Sequence, residues 1–248
     1  MAKVYYKDDR VVLIHGDCIE AMQKLKCRFK ACITDPPYGT THNKWDATIP
    51  FDSMWEQLHT VVSPSGAICL FGAEPFASLL RCSNLKEYKY DWVWHKNNVT
   101  GFLNSKKQPL RCVETISVFY KQQPLYTPQM RTGFKPYVAV HNGHTTNYGY
   151  EKGAVTVSNG ERFPIQVLDI KCNSSSKLHP TQKPVELIEY LIKTYTNEND
   201  SVLDFTCGSG TTLIAGLNTG RKVVGIESDE GYCEVAKQRI LKWYEEHK

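Results

Sequence analysis

The sequence predicts a doubly wound α/β fold, one mostly parallel sheet with a single reversed strand and an irregular lobe laid into it. Three observations carry this. Short apolar runs at residues 11–15, 31–34, 67–71, 201–204 and 222–227 each end near a turn that carries Asp, Glu or Gly, as buried parallel strands do. Helix-like stretches alternate with them, the order that builds βαβ units. The alternation stops between 122 and 177, where Pro, Gly, Asn, Ser and His gather without a period. Long segments of that kind sit outside a regular sheet.

Taken in order, residues 11–15 form the first strand, 18–26 a helix and 31–34 a second strand. Residues 51–62 read as a helix, Ser63-Pro64-Ser65-Gly66 as a turn and 67–71 as a further buried strand. Aromatic and β-branched residues at 90–94 and 115–120 predict two more strands, the second being the reversed one. Regularity returns with an amphipathic helix at 184–195, strands at 201–204 and 222–227, and helices at 211–219 and 229–246. The expected catalytic domain is therefore 1–121 together with 178–248, and 122–177 is an inserted lobe, irregular and partly mobile.

The 248 residues are 41% hydrophobic and 23% charged, enough apolar matter for a core and against general disorder. The nine cysteines lack the paired short spacings of a zinc site. They read as reduced, mostly buried thiols, and with no apolar signal core or membrane-length run they predict a cytoplasmic protein without a membrane partner. His141 and His144 have no third or fourth ligand nearby in sequence, so no metal is expected. The net charge of +4 is mild, but Lys96, Lys106, Lys107 and Arg111 stand in one stretch without an acid, and 121–177 is itself net basic. Alone, such stretches are commonly solvated surface.

The strongest cofactor signal is Asp204-Phe205-Thr206-Cys207-Gly208-Ser209-Gly210-Thr211-Thr212, set between a strand and a helix. Glycines let the backbone pass beneath a ligand, and the helix start offers free N–H groups to an anionic end. The spacing fits neither the dinucleotide fingerprint nor a P-loop. Glu227 closes the next strand, where an acid about 20 positions on can accept from ribose hydroxyls. Alone, a glycine-rich turn is more often just a tight turn; with the strand, the helix and Glu227 beside it, a nucleoside cofactor is the leading reading.

Asp35-Pro36-Pro37-Tyr38 comes directly after the 31–34 strand. Two prolines stiffen the backbone and remove its donors, leaving carbonyl acceptors beside the Asp35 carboxylate. An exocyclic amine offers two donors to such a row, and Tyr38 could stack on a base. By itself the tetrapeptide reads more readily as a rigid turn with a surface tyrosine.

Together these residues resemble the amino-group DNA methyltransferases. Asp35–Tyr38 match the family's Asp-Pro-Pro-Tyr, 204–210 match its glycine-rich motif with Cys207 in place of the common Ala, and His179-Pro180-Thr181-Gln182-Lys183-Pro184 match a third motif. The order, catalytic motif first and cofactor motifs last, resembles the circularly permuted β subgroup. The resemblance implies a Rossmann-like methyltransferase sheet, S-adenosyl-L-methionine as cofactor, and methyl transfer to N6 of a flipped adenine in double-stranded DNA. N4 of cytosine is the alternative within the class. A DNA-binding protein with a vestigial cofactor pocket is one outside it, against which Asp35, Gly208, Gly210 and Glu227 are intact. A protein glutamine methyltransferase is another, but its related tetrapeptide usually begins with Asn.

Carried onto this chain, the resemblance assigns Asp35, Pro36, Pro37 and Tyr38 to the target amine. It assigns Phe205, Cys207, Gly208, Ser209, Gly210, Thr211 and Thr212 to the methionine part and Glu227 to the ribose. Asp17 and Cys18 would lie by the cofactor adenine, and His179, Thr181 and Lys183 would wall the methionine end, although a plain helix-entry loop before Pro184 reads as well. Lys106, Lys107 and Arg111 resemble a basic segment near DNA in relatives. The 122–177 lobe would read bases, with Gln129, Arg131, Asn142 and Asn147 among its polar side chains. Relatives of this kind are often homodimers, and some work beside a cognate restriction endonuclease.

Overall fold

The computed structural model describes residues 1–39, 47–141, 154–172 and 182–247. They divide into two compact units, 1–127 with 166–248, and 128–165. The larger holds a nine-stranded sheet of β1 (Lys3–Lys7), β2 (Val11–His15), β3 (Phe29–Thr34), β4 (Val62–Gly72), β5 (Tyr88–Thr100), β6 (Arg111–Phe119), β9 (Val167–Asp169), β10 (Ser201–Asp204) and β11 (Lys222–Glu227). Their order across the sheet is β1-β2-β11-β10-β3-β4-β6-β5-β9. From β2 to β4 neighbours run parallel. The reversed strand is β6, antiparallel to both β4 and β5, within the segment expected to turn back.

Side-chain alternation sorts the strands' apolar residues onto two faces. In β3, Ala31 and Ile33 pack with α4 (Val185–Tyr195), α5 (Thr211–Asn218) and α6 (Glu230–Glu246), through Leu187, Leu191, Leu213 and Ala236. Cys32 between them points to the other face, toward α1 (Cys18–Lys24), α2 (Phe51–Val61) and α3 (Phe76–Ser83), through Met22, Leu58 and Leu80. Both faces of the parallel strands are covered, which is why their sequences are nearly continuous apolar runs. β10 leads through α5 to β11 on one side, and β3 leads through α2 to β4 on the other. The chain thus diverges between β10 and β3, the switch point at which such sheets bind ligands.

Four features differ from the sequence reading. Polar β1 adds an antiparallel edge strand to β2, and α3 was not expected. Residues 63–66 do not turn; they run on inside β4 while the register with β3 shifts between Phe29 and Ala31. Val167–Asp169, inside the expected lobe, joins the sheet parallel to β5.

The smaller unit is more regular than expected. It contains the antiparallel pair β7 (Tyr137–His141) and β8 (Ala154–Ser158), with Val138 opposite Val157 and Val140 opposite Val155. Arg131 and Arg162 bridge through their backbones. Their guanidinium groups each lie 5.2 Å from the Phe134 ring centroid, a cation–π arrangement that ties the unit together.

Candidate active site

The parallel strands β2, β11, β10 and β3 end together. Glu227 pairs with His15, Asp204 with Gly225, and Leu203 with Cys32. The residues that follow these ends, 16–18, 35–38 and 205–210, therefore converge with Glu227 on one edge although they lie far apart in sequence. A hydroxyl network joins β3 to β10 there. Thr34 Oγ1 donates to Asp204 Oδ1 at 2.9 Å and accepts from the Phe205 N–H at 3.0 Å. Thr206 Oγ1 donates to the Asp35 carbonyl at 3.0 Å, so one carbonyl of the expected free acceptor row is already taken. Burial pushes the Asp204 carboxyl up to about 6, against hydrogen bonds from Thr212, the Thr206 N–H and Thr34.

Asp35 is held by two donors. The Tyr38 hydroxyl donates to Oδ1 at 2.5 Å, and the Lys183 ammonium donates to Oδ2. Tyr38 itself stacks on Phe76 of α3, with ring centroids 4.9 Å apart and planes 26° from parallel, which fixes its ring before any base arrives. Lys183 Nζ also lies 3.3 Å from Glu114 Oε2, and Lys96 Nζ lies 2.8 Å from Glu114 Oε1. Burial alone would lower the Lys183 pKa, but the Asp35 and Glu114 carboxylates hold it above its ordinary value. Glu114 is pushed up by burial and pulled further down by Lys183 and Lys96, ending below the usual carboxylate range. Lys183, expected at the methionine end of a cofactor, is thus engaged with Asp35.

The glycine-rich turn has the geometry of a cradle. Gly208 and Gly210 have φ of +51° and +79°, a region that side chains rarely adopt. At Gly210 a Cβ would stand 2.9 Å from Ala236 Cβ, so α6 packs directly against the turn. Arg239 of α6 braces it, donating to the Ser209 carbonyl at 2.6 Å. The Glu227 carboxylate accepts the Gly208 and Asp229 N–H groups, each at 2.8 Å. The Ser228 hydroxyl also donates to Oε1 at 3.3 Å, so the second lone-pair site of Oε2 is the acceptor that Glu227 keeps for a ribose hydroxyl. Thr211 and Thr212 open α5, where N–H groups lack intrahelical partners. A left-handed backbone, a braced acid and a helix start fit a nucleoside cofactor with a ribose diol and a charged tail.

Asp17 is the N-cap of α1, its Oδ1 accepting the Glu20 N–H at 2.9 Å. Cys18 is buried, and its thiol is pushed up to about 12, chiefly by that burial. Lys106 and Lys107 are exposed on the β5–β6 connection, which leaves the sheet at this same edge, and exposed Arg111 opens β6. Arg131, in the smaller unit, donates from Nε to the Phe163 carbonyl at 3.1 Å. Gln129 is described, whereas His179, Thr181, Asn142, Asn147 and His144 lie outside the described residues. The sequence reading missed Glu114, Thr34 and Arg239, and it counted Lys96 with the basic stretch, whereas Lys96 pairs with Glu114. The single acid of Arg111–Phe119 was the one available signal, at Glu114.

Residues 29–238 match a DNA methylase family model, N6_N4_Mtase. Type II methyltransferase M2.LlaDCHI of Lactococcus lactis subsp. cremoris is 28% identical over 98% of this chain and 93% of its own length. DNA adenine methyltransferase YhdJ of Escherichia coli (strain K12) is 26% identical over 95% of this chain and 84% of its own. Among solved structures, the M1.HpyAVI–SAM complex superposes with a TM-score of 0.62 at 26% identity, covering 92% of this chain and 99% of that one. The cytosine-N4-specific PvuII methyltransferase shares the fold with a TM-score of 0.70 at 16% identity, over 98% and 94% of the two chains. With most of its length inside the family match, and with 35–38 and 204–210 meeting at one sheet edge, the chain belongs to the N6/N4 DNA methylase family.

Proposed function

We propose that the protein transfers a methyl group from S-adenosyl-L-methionine to N6 of an adenine flipped out of double-stranded DNA. The observation that carries this reading is the Thr206–Asp35 hydrogen bond of 3.0 Å, which builds the amine acceptor and the cofactor cradle on one corner of the sheet. Bound S-adenosylmethionine supplies a methyl group already activated by its sulfonium. The chain's residues then have to orient and desolvate the amine. Asp35 and the Pro36 carbonyl accept hydrogen bonds from its two N–H groups, the one proton released on methylation leaving on the Asp35 side, and Tyr38 lies against the base. Phe205 to Thr212 hold the methionine part, Glu227 the ribose, and Asp17 with Cys18 the adenine end.

Adenine is favoured by the Asp that opens 35–38 and by the likeness to a protein named a DNA adenine methyltransferase. Motif order supports the circularly permuted β subgroup. The type II names of two relatives support a cognate restriction endonuclease, and the family resemblance supports a homodimer. A DNA substrate and nine free cysteines favour the cytoplasm.

The product decides the base. Unmethylated DNA incubated with labelled S-adenosylmethionine, digested to nucleosides and separated by mass spectrometry, is expected to carry label in N6-methyladenine. Label only in N4-methylcytosine would overturn the adenine assignment and keep the mechanism. Label in neither would remove both. Sequencing that detects modified bases maps the site on the same DNA.

The lobe at 122–177, Arg131 included, is assigned to base reading, and Lys106, Lys107 and Arg111 to phosphates. Neutralising Lys106 and Lys107 should weaken all DNA sequences alike and reduce the slope of log affinity against log salt by about 0.9 per lost contact. An unchanged slope returns both lysines to solvated surface.

A further inference from the structure

We propose that Lys183 is the positioning residue of Asp35, and that Glu114, braced by Lys96, sets how much of the Lys183 charge reaches it. The inference rests on Asp35 being the acceptor of the target amine. Asp35, Lys183, Glu114 and Lys96 form a chain of alternating charge that sums to zero. It is drawn from the end of β3, the residue before Pro184, β6 and β5. Side-chain exposure is only 9% at Lys183, 16% at Glu114 and 11% at Lys96, so water screens these charges weakly.

The two carboxylates hold Lys183 differently. Its short hydrogen bond goes to Asp35 Oδ2, whereas buried Glu114 Oε2 lies 3.3 Å away, outside good hydrogen-bond geometry to any described residue. Glu114 therefore holds the ammonium mainly by charge. Lys183 also lies 5.1 Å from the Phe71 ring centroid, a packing contact that restrains the ammonium beside the sheet.

This arrangement solves a problem that the site creates. Asp35 must be ionised and point at an amine, yet it is half-buried and Asp204 stands behind it on β10 as another acid. A carboxylate so placed needs a fixed cation and a fixed donor to aim it at the amine. Lys183 supplies the cation and fixes Oδ2, while the Tyr38 hydroxyl fixes Oδ1. One lone-pair site on each oxygen is left for the amine. A cation devoted wholly to Asp35 would blunt it as an acceptor. Sharing the cation with Glu114 keeps it strong.

Four variants of the 248-residue chain test this: Lys183→Met, Lys183→Arg, Glu114→Gln and the double Lys183→Met/Glu114→Gln. Single-turnover methylation of mapped DNA is followed against pH, and cofactor affinity is followed by calorimetry. Lys183→Met should slow the chemical step by about 10- to 100-fold at neutral pH, by analogy with the loss of an outer partner that orients a metal ligand. It should leave cofactor affinity in place and move the acid limb of the rate profile to higher pH. Lys183→Arg should restore part of the rate. Glu114→Gln should slow the step severalfold and move the acid limb the opposite way, to lower pH. The double variant should be faster than Lys183→Met, because the like charge beside Asp35 is gone.

A purely structural role would not give limbs of opposite sign or a gain from the second substitution. The proposal is overturned if Lys183→Met weakens cofactor binding with the chemical step intact, or if neither limb moves. Should Lys183→Met fail to fold, the Glu114→Gln limb and the Lys183→Arg rate carry the decision, and an unmoved limb overturns it. Wild-type protein that leaves all DNA unmethylated would sink the underlying reading instead, a result distinct from any of these.

Discussion

Replacing Asp35 with alanine is expected to slow methyl transfer by about 10²–10³-fold, the usual loss when a positioned transition-state contact is removed, with cofactor affinity nearly unchanged. The separation of effects follows from which atoms do which work. The link from this segment to the glycine-rich turn is made by the Asp35 backbone carbonyl, which accepts from Thr206, and alanine keeps that carbonyl. What is lost is the carboxylate that meets Tyr38 and Lys183. An Asp35→Asn variant preserves the volume and one acceptor oxygen but leaves the Lys183 charge without its hydrogen-bonded partner, so it should also be slow. Single-turnover assays on DNA carrying the mapped site, with calorimetric titration of S-adenosylmethionine, measure the two quantities separately. If Asp35→Ala lost cofactor affinity and kept its chemical rate, the amine-acceptor role would be wrong.

The parts of this fold that could be read from sequence are those whose signal is local. β10 and β11 lie at 201–204 and 222–227 as expected, because strands covered on both faces are written as unbroken apolar runs. β1 has no such run. Lys3-Val4-Tyr5-Tyr6-Lys7 is a polar edge held by pairing with β2 and by the Tyr5 hydroxyl, which donates to Glu234 at 2.7 Å from the far end of the chain. The α3 helix buries Phe76, Ala77 and Leu80, too few positions to declare a period after Glu74-Pro75. In the smaller unit Val138, Val140, Val155 and Val157 do alternate, but their exposed face gives no burial pattern and the surrounding Pro and Gly mask the strands.

The site divides along the same line. Asp35–Tyr38 and 204–212 are contiguous, so each motif is visible as a string, and the strand ends that carry them follow from the βα alternation. The partners of Asp35 are not contiguous. Lys183 is 148 positions away from it, and Glu114 reaches the site only because β6 runs backward and brings its early residues to the edge where the parallel strands finish. The resemblance assigned Lys183, with His179 and Thr181, to the methionine end of the cofactor. The ion pair with Asp35 depends on three-dimensional proximity that no spacing rule encodes.

Glu227→Ala should act on the other half of the reaction, lowering S-adenosylmethionine affinity by about 1.5–3 kcal/mol, the value of hydrogen bonds to a charged group. That corresponds to roughly 10- to 150-fold in Kd. Two losses combine in this number. The ribose loses its acceptor, and the Gly208 and Asp229 N–H groups lose the carboxylate that accepts both at 2.8 Å, so the turn is no longer braced in its left-handed conformation. A Glu227→Gln variant separates them, because its amide oxygen can still accept from one N–H while the charge is gone. Its affinity should fall between wild type and alanine. At saturating cofactor both variants should methylate at close to the wild-type single-turnover rate, since Asp35, Tyr38 and Lys183 are untouched. Calorimetric Kd values beside saturated single-turnover rates test this directly. Unchanged Kd in Glu227→Ala would remove the ribose assignment, and a saturated rate as low as that of Asp35→Ala would mean that the cradle and the amine acceptor do not work as separate halves.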